Sequence, residues 1–300
     1  MVNFVLIAFC IGAGMLFRRL QLIPKDAHKG INTWILSLAL PAVSFKYLPN
    51  IQWSAEMLFP VASSILMWAG AWLFMEMYCR WKGYRQRSRS TLELASGFGN
   101  TSFVGFPLIT AYYGEQALSI AILCDQSMFL LLSSIGVVAA VRGSRTGDGK
   151  VHPRAIVRRL LRFPPLMGCV LALVLSPFID FSFAAPFFDK LAATVAPLAL
   201  FSIGLQLSFK GWRRLLPQVS VALLYKLLIG PALVLAAAIL SGIKGDIAKI
   251  SVFEAAMPTV MTSSIICEQY GLNTRLVNLI IGISILTGLF STALWYAVMR

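Results

Sequence analysis

Charge is scarce in this chain: 13% of its 300 residues are Asp, Glu, Lys or Arg, against 58% that are apolar, and the mean hydropathy is +0.77. That much apolar surface exceeds what a soluble core could hide, so the expected solvent is a lipid bilayer. Histidine is nearly missing. His28 and His152 both fall in polar loops, which excludes a buried histidine for intramembrane acyl transfer or metal chemistry. Cys10, Cys79, Cys124, Cys169 and Cys267 are odd in number and lack paired metal-ligand spacing, which leaves them as packing residues. Nothing resembles a nucleotide-binding loop, so ATP is not the expected energy source. No Ser/Lys or paired-Asp active-site pattern and no sizeable soluble domain favours the competing class, a membrane enzyme or sensor. The expectation is a protein that is not an enzyme and carries no cofactor or metal.

What the chain does contain is a train of apolar runs, each long enough to cross about 30 Å of hydrocarbon at about 1.5 Å per residue. Ten spans are expected, at 2–17, 32–49, 57–79, 92–112, 117–141, 163–184, 187–208, 215–240, 248–269 and 275–299, all within one membrane domain. The first run is followed, not preceded, by Arg18 and Arg19. That is the reverse of a signal peptide and predicts a retained helix.

The net charge of +14 does not point to nucleic acid, because the basic residues are scattered through short loops instead of gathered on a polar face beside aromatics. They alternate. Twenty of the 26 follow odd-numbered spans: Arg18, Arg19, Lys25 and Lys29; Arg80, Lys82, Arg85, Arg87 and Arg89; Arg142, Arg145, Lys150, Arg154, Arg158, Arg159 and Arg162; Lys210, Arg213 and Arg214; and Arg275. Positive charge favours the cytoplasmic side, which puts these loops in the cytoplasm and both termini outside a cell membrane crossed many times.

The chain also repeats itself. Leu40-Pro41-Ala42 with Phe45 corresponds to Ala196-Pro197-Leu198 with Phe201, an offset of 156, and Tyr113-Gly114 corresponds to Tyr270-Gly271, an offset of 157. Residues 1–141 and 163–300 are therefore expected to be copies of one five-helix unit, joined by a cytoplasmic linker at 142–162. An odd number of spans per copy makes the repeat inverted, as in many secondary transporters. The fold class expected is all-α and integral to the membrane, with ten transmembrane helices in two inverted five-helix repeats.

Spans four and nine are poor continuous helices. Span four carries Gly97, Gly99, Gly105 and Pro107 around Asn100-Thr101-Ser102, and span nine carries Pro258-Thr259 and Thr262-Ser263-Ser264. Hydrocarbon cannot satisfy the backbone groups freed by a break, so such a break needs protein or a wet cavity around it. The second half-helix of each span would aim N–H groups and a positive dipole end at an anion. The carbonyls ending the first half-helices could instead hold a cation. The plain alternative is a proline kink whose hydroxyls bond back to the preceding turn.

In order along the chain, Gly12-Ala13-Gly14-Met15-Leu16-Phe17-Arg18-Arg19, Leu40-Pro41-Ala42, Gly99-Asn100-Thr101-Ser102-Phe103-Val104-Gly105-Phe106-Pro107, Asp125-Gln126 and Met257-Pro258 resemble the auxin efflux carrier family. That family holds plant auxin exporters and bacterial permeases often assigned to malate or malonate. The resemblance implies broken helices four and nine that cross at their centres, with substrate bound at the crossing and moved by an elevator-like shift. Asn100, Thr101, Ser102, Pro258, Thr259 and Thr262 are then the candidate substrate-binding residues.

Ionisable and amide residues inside spans are expensive and so are candidates for coupling or electrostatics. They are Lys226 in span eight, Asp125 and Gln126 in span five, Glu254 before the span-nine break and Glu56 at the start of span three. Glu56 and Glu254 could be outer-face residues that reach water. Lys226 could neutralise a carboxylate, add positive potential to an anion site, or only snorkel along its neighbours. The function expected is secondary transport of a small organic carboxylate anion, with a sodium symporter of the related bile-acid carrier type as runner-up. Coupling to H+ or Na+ stays open. The partners expected are the anion and the bilayer, and a homodimer is allowed.

Overall fold

A computed structural model describes residues 2–24, 26–51, 53–144, 153–207 and 215–300. Lys25, Arg145, Lys150, His152, Lys210, Arg213 and Arg214, and with them most of the loop residues that carry the topology argument at 145–152 and 208–214, lie outside the described residues. Among the described residues the chain is helical and has no strand, apart from a single antiparallel bridge between Gly99 and Thr259.

Among the described residues, five helices are long and apolar enough to cross a membrane: Ala55–Trp81, Glu115–Gly143, Phe181–Gln206, Leu216–Leu240 and Thr274–Met299. They coincide with the expected spans three, five, seven, eight and ten. The boundaries differ elsewhere. Span six is a shorter helix, Pro164–Leu175, because the chain turns at Ser176-Pro177, where proline offers no N–H to continue the ladder. Helix then resumes at Phe181, ahead of the expected start of span seven. Span four begins earlier than its apolar run, as the polar helix Gln86–Gly97. Eight consecutive residues of it, Ser90 to Gly97, are buried, so protein and not lipid surrounds that sequence.

Among the described residues, four helices contain a widened π turn: Ile35–Ala39, Thr101–Gly105, Leu132–Gly136 and Tyr225–Ile229. Three of them end two residues before a proline, namely Pro41, Pro107 and Pro231. A proline in a helix removes the donor to the carbonyl four residues earlier and pushes against it, and a wider turn relieves that clash. Before Pro231 the stranded carbonyl is that of Leu227, and the Trp295 indole N–H donates to it at 2.8 Å. Trp295→Phe should therefore leave a buried carbonyl unpaired. The expected cost is about 1–3 kcal/mol, read as a lower thermal unfolding midpoint of the purified protein.

The chain forms two compact units, and each draws on both sequence halves. The first is built from 1–54, 102–122 and 157–207, and the second from 55–101, 123–156 and 208–300. In the first unit, Val2–Arg19 packs against Val195–Gln206 through Gly14 and Gly204. A side-chain carbon on either would collide with the backbone opposite, which is the close approach that small residues permit between membrane helices. Arg18 donates to the Leu207 carbonyl at the end of the facing helix at 2.6 Å. Lys46 pairs with Glu115 and Asp189, at 3.0 Å each.

In the second unit, Gly70 leaves room for the Tyr225 ring, whose hydroxyl donates to the Met67 carbonyl at 2.8 Å. All five cysteines are buried and none forms a disulfide. Glu76 holds Arg80 and Arg89 at 2.7 and 2.8 Å.

Candidate functional site

The breaks in spans four and nine meet inside the second unit. The helix Gln86–Gly97 ends in extended backbone at Phe98, and helix resumes with the turn that starts at Thr101. The helix Gly245–Ala255 ends before Met257-Pro258, and helix resumes at Thr262. The Asn100 N–H donates to the Pro258 carbonyl at 2.7 Å, and the Val260 N–H donates to the Phe98 carbonyl at 3.1 Å, on either side of the Gly99–Thr259 bridge. Each break thus supplies the hydrogen bonds that the other lacks, so non-helical backbone can persist at membrane depth.

The side chains reinforce the crossing. The Thr259 hydroxyl donates to the Ala95 carbonyl at 2.7 Å, and the Ser263 hydroxyl to the Leu94 carbonyl at 3.1 Å. Both acceptors lie near the end of the span-four half-helix. The Thr259 N–H donates to the Ser284 hydroxyl at 3.1 Å. The Thr101 hydroxyl donates to Asp125 Oδ1 at 2.5 Å, and the Gln126 amide donates to Asp125 Oδ2 at 3.1 Å. The Thr101, Thr259 and Ser263 hydroxyls bond across to other segments and not to their own preceding turns, so an ordinary proline kink does not describe either break.

Lys226 is wholly buried, in the π turn before Pro231. Its ammonium donates to the carbonyl of Ala255, the last residue of the span-nine half-helix, at 3.3 Å. A side-chain carbon built on Gly99 would stand 3.1 Å from that ammonium nitrogen, so the charge lies directly against the crossing. It does not snorkel. Glu254 is 2% exposed, and neither carboxylate oxygen has a hydrogen-bond partner. It does not reach water as an outer-face residue would.

The structure therefore brings together Asn100, Thr101, Pro258 and Thr259 at the crossing, with Asp125, Gln126, Lys226 and Glu254 buried in the same unit. Thr262 is partly exposed at the start of the second half-helix of span nine. Ser102 belongs to the other compact unit. Glu56 is exposed in the short turn Ala55–Met57 and does not share the burial of the other charged candidates. Ser284 and Ser251 are buried additions that the sequence did not single out, and Ser263 of the hydroxyl-rich stretch is buried as well. A lone serine in an apolar span carries no signal of what it faces, although Ser251 stands one turn before Glu254.

Residues 1–296 match the profile of a family described as membrane transport protein. The chain is 26% identical over 291 residues to an uncharacterized transporter of Methanocaldococcus jannaschii, covering 93% of this chain and 92% of that protein. It is 23% identical over 290 residues to an uncharacterized transporter of Methanothermobacter thermautotrophicus, covering 95% and 94%. It is 28% identical over 298 residues to a protein of Rhizobium meliloti provisionally named a malonate transporter, covering 92% and 90%.

Proposed function

Because the chain belongs to the membrane transport protein family, the auxin efflux carriers, we propose that it is a secondary transporter of a small carboxylate anion that binds where spans four and nine cross. The observation that carries this reading is the reciprocal pairing of the two breaks, with a buried ammonium beside it. A cation held in place by protein, together with helix starts at Thr101 and Thr262, favours negative charge more than a neutral solute.

The ten-span inverted repeat, with both termini outside the cell membrane, is the frame of this proposal. An elevator-type shift of one compact unit suits a chain whose units each draw on both repeats. The provisional name of the Rhizobium relative makes malonate the first substrate to try.

The sodium-symporter reading rests on carbonyls and carboxylates near the crossing. The Lys226 amine already donates to one of those carbonyls, that of Ala255. Uptake in proteoliposomes is accordingly expected to be the same in sodium and in choline buffers. A strict sodium requirement would restore the runner-up.

The substrate class is tested by thermal unfolding of the purified protein against malonate, malate and indole-3-acetate. A ligand at one hundred times its Kd stabilises the folded state by about 2.7 kcal/mol, so a rising midpoint with at least one carboxylate is expected. A shift produced only by amines or neutral solutes would sink the anion reading.

A further inference from the structure

We propose that a cavity away from the crossing, at the start of the helix Gln86–Gly97, binds a phosphate-bearing anion. The cavity measures about 350 Å³ and lies within the second unit. Its walls carry Arg85, Gln86, Arg87 and Ser88 from the first turn of that helix, Arg142 from the end of the helix that closes at Gly143, and Asn273, which caps Thr274–Met299.

Three arginines line this space, and among the described residues no carboxylate does. Glu76 is already held by Arg80 and Arg89. The arrangement depends on Gly143. A side-chain carbon there would stand 2.7 Å from the Ser90 hydroxyl and 2.9 Å from Leu272, so only glycine lets the end of one helix, with Arg142, come so close to the start of the other. Arg87 is anchored by a 2.8 Å bond from its terminal nitrogen to the Leu272 carbonyl, while its buried Nε–H has no acceptor. The first helical turn has no side-chain cap; the Ser88 N–H donates to the Arg85 carbonyl at 3.0 Å, which leaves the N–H groups of Gln86 and Arg87 for a ligand.

A ligand for this cavity must supply several acceptor oxygens and more than one negative charge. A phosphate does both, and the planar guanidinium fork suits its oxygens. A single carboxylate would leave most of the positive charge unanswered. The phosphate could come from a lipid headgroup or from solution. Acidic headgroups are drawn to clustered arginines beside membrane helices, on the side that the alternation of basic loops assigns to the cytoplasm.

The test uses the full-length purified protein and two probes at matched ionic strength. One is inorganic phosphate, added to protein in phosphatidylcholine nanodiscs. The other is phosphatidylglycerol, mixed into the nanodiscs in graded amounts. At least one probe should raise the thermal unfolding midpoint. Its apparent affinity should fall at least tenfold in Arg85→Gln/Arg142→Gln. Asn273→Asp should weaken binding in the same direction, since it keeps a capping side chain but adds a carboxylate to the wall, and it serves if the double variant does not fold. A response to inorganic phosphate alone identifies a soluble source, and a response to phosphatidylglycerol alone identifies a headgroup. The proposal is overturned if neither probe exceeds the effect of chloride, or if the shifts are unchanged in the folded variants.

Discussion

Lys226→Gln should lower carboxylate uptake at least tenfold while leaving a protein that still inserts and can be purified. A lysine at the middle of a span costs about 2.5–3.5 kcal/mol on insertion scales, and here it is fully enclosed, against the end of the half-helix Gly245–Ala255. Glutamine keeps a donor for the Ala255 carbonyl but removes the charge. The positive potential beside the crossing disappears with it. A tenfold loss of rate corresponds to about 1.36 kcal/mol of lost transition-state stabilisation. Lys226→Arg should not restore uptake, because the planar guanidinium is larger and Gly99 leaves no room beside the ammonium. Initial rates in proteoliposomes, normalised to inserted protein, decide the matter. A wild-type rate for Lys226→Gln would remove the electrostatic role and leave the broken helices as the sole basis for choosing anions.

Gly99→Val is expected to be the most damaging single change at the crossing, and Gly99→Ala a graded version of it. A first side-chain carbon at Gly99 would stand 3.1 Å from the Lys226 ammonium and 3.6 Å from both the Glu254 carbonyl oxygen and Met257. Alanine meets the far end of a flexible side chain first, so Lys226 can give way by a few tenths of an ångström. The two further methyl groups of valine have no such escape, because Thr259 pairs with Gly99 across the bridge and is itself tied to Ala95 and Ser284. Overpacking of this kind costs about 1–3 kcal/mol. Uptake should fall partly in the alanine variant and to background in the valine variant, with the unfolding midpoint falling in the same order. Equal uptake by all three proteins would mean that the crossing is not where substrate passes.

Much of this site could be read in advance from residue chemistry. Glycine and proline interrupt helices wherever they stand, so Gly97, Gly99, Gly105 and Pro107 marked one break and Pro258 the other. Lys226 was conspicuous because an ammonium within an apolar run must be enclosed or paired. What residue type could not distinguish was Glu56 from Glu254, since each is an acid within or at the start of an apolar segment. One proves exposed and the other buried, a difference set by the helices packed around each. Nor could it assign Trp295, which looks like one more aromatic near a span end but pairs with the carbonyl left open by Pro231.

The sequence by itself determined that this chain is a multi-pass membrane protein with two interrupted spans, because hydropathy and backbone-breaking residues act locally and need no neighbour to be recognised. Only the tertiary structure decided that the interruptions complete each other, that Lys226 lies against them, and that the compact units cut across the two sequence halves. Those outcomes depend on which distant backbone supplies the missing hydrogen bond. A carbonyl freed by proline can be satisfied by any donor within reach, and which donor that is follows from packing between segments far apart in the sequence, 68 residues for Leu227 and Trp295.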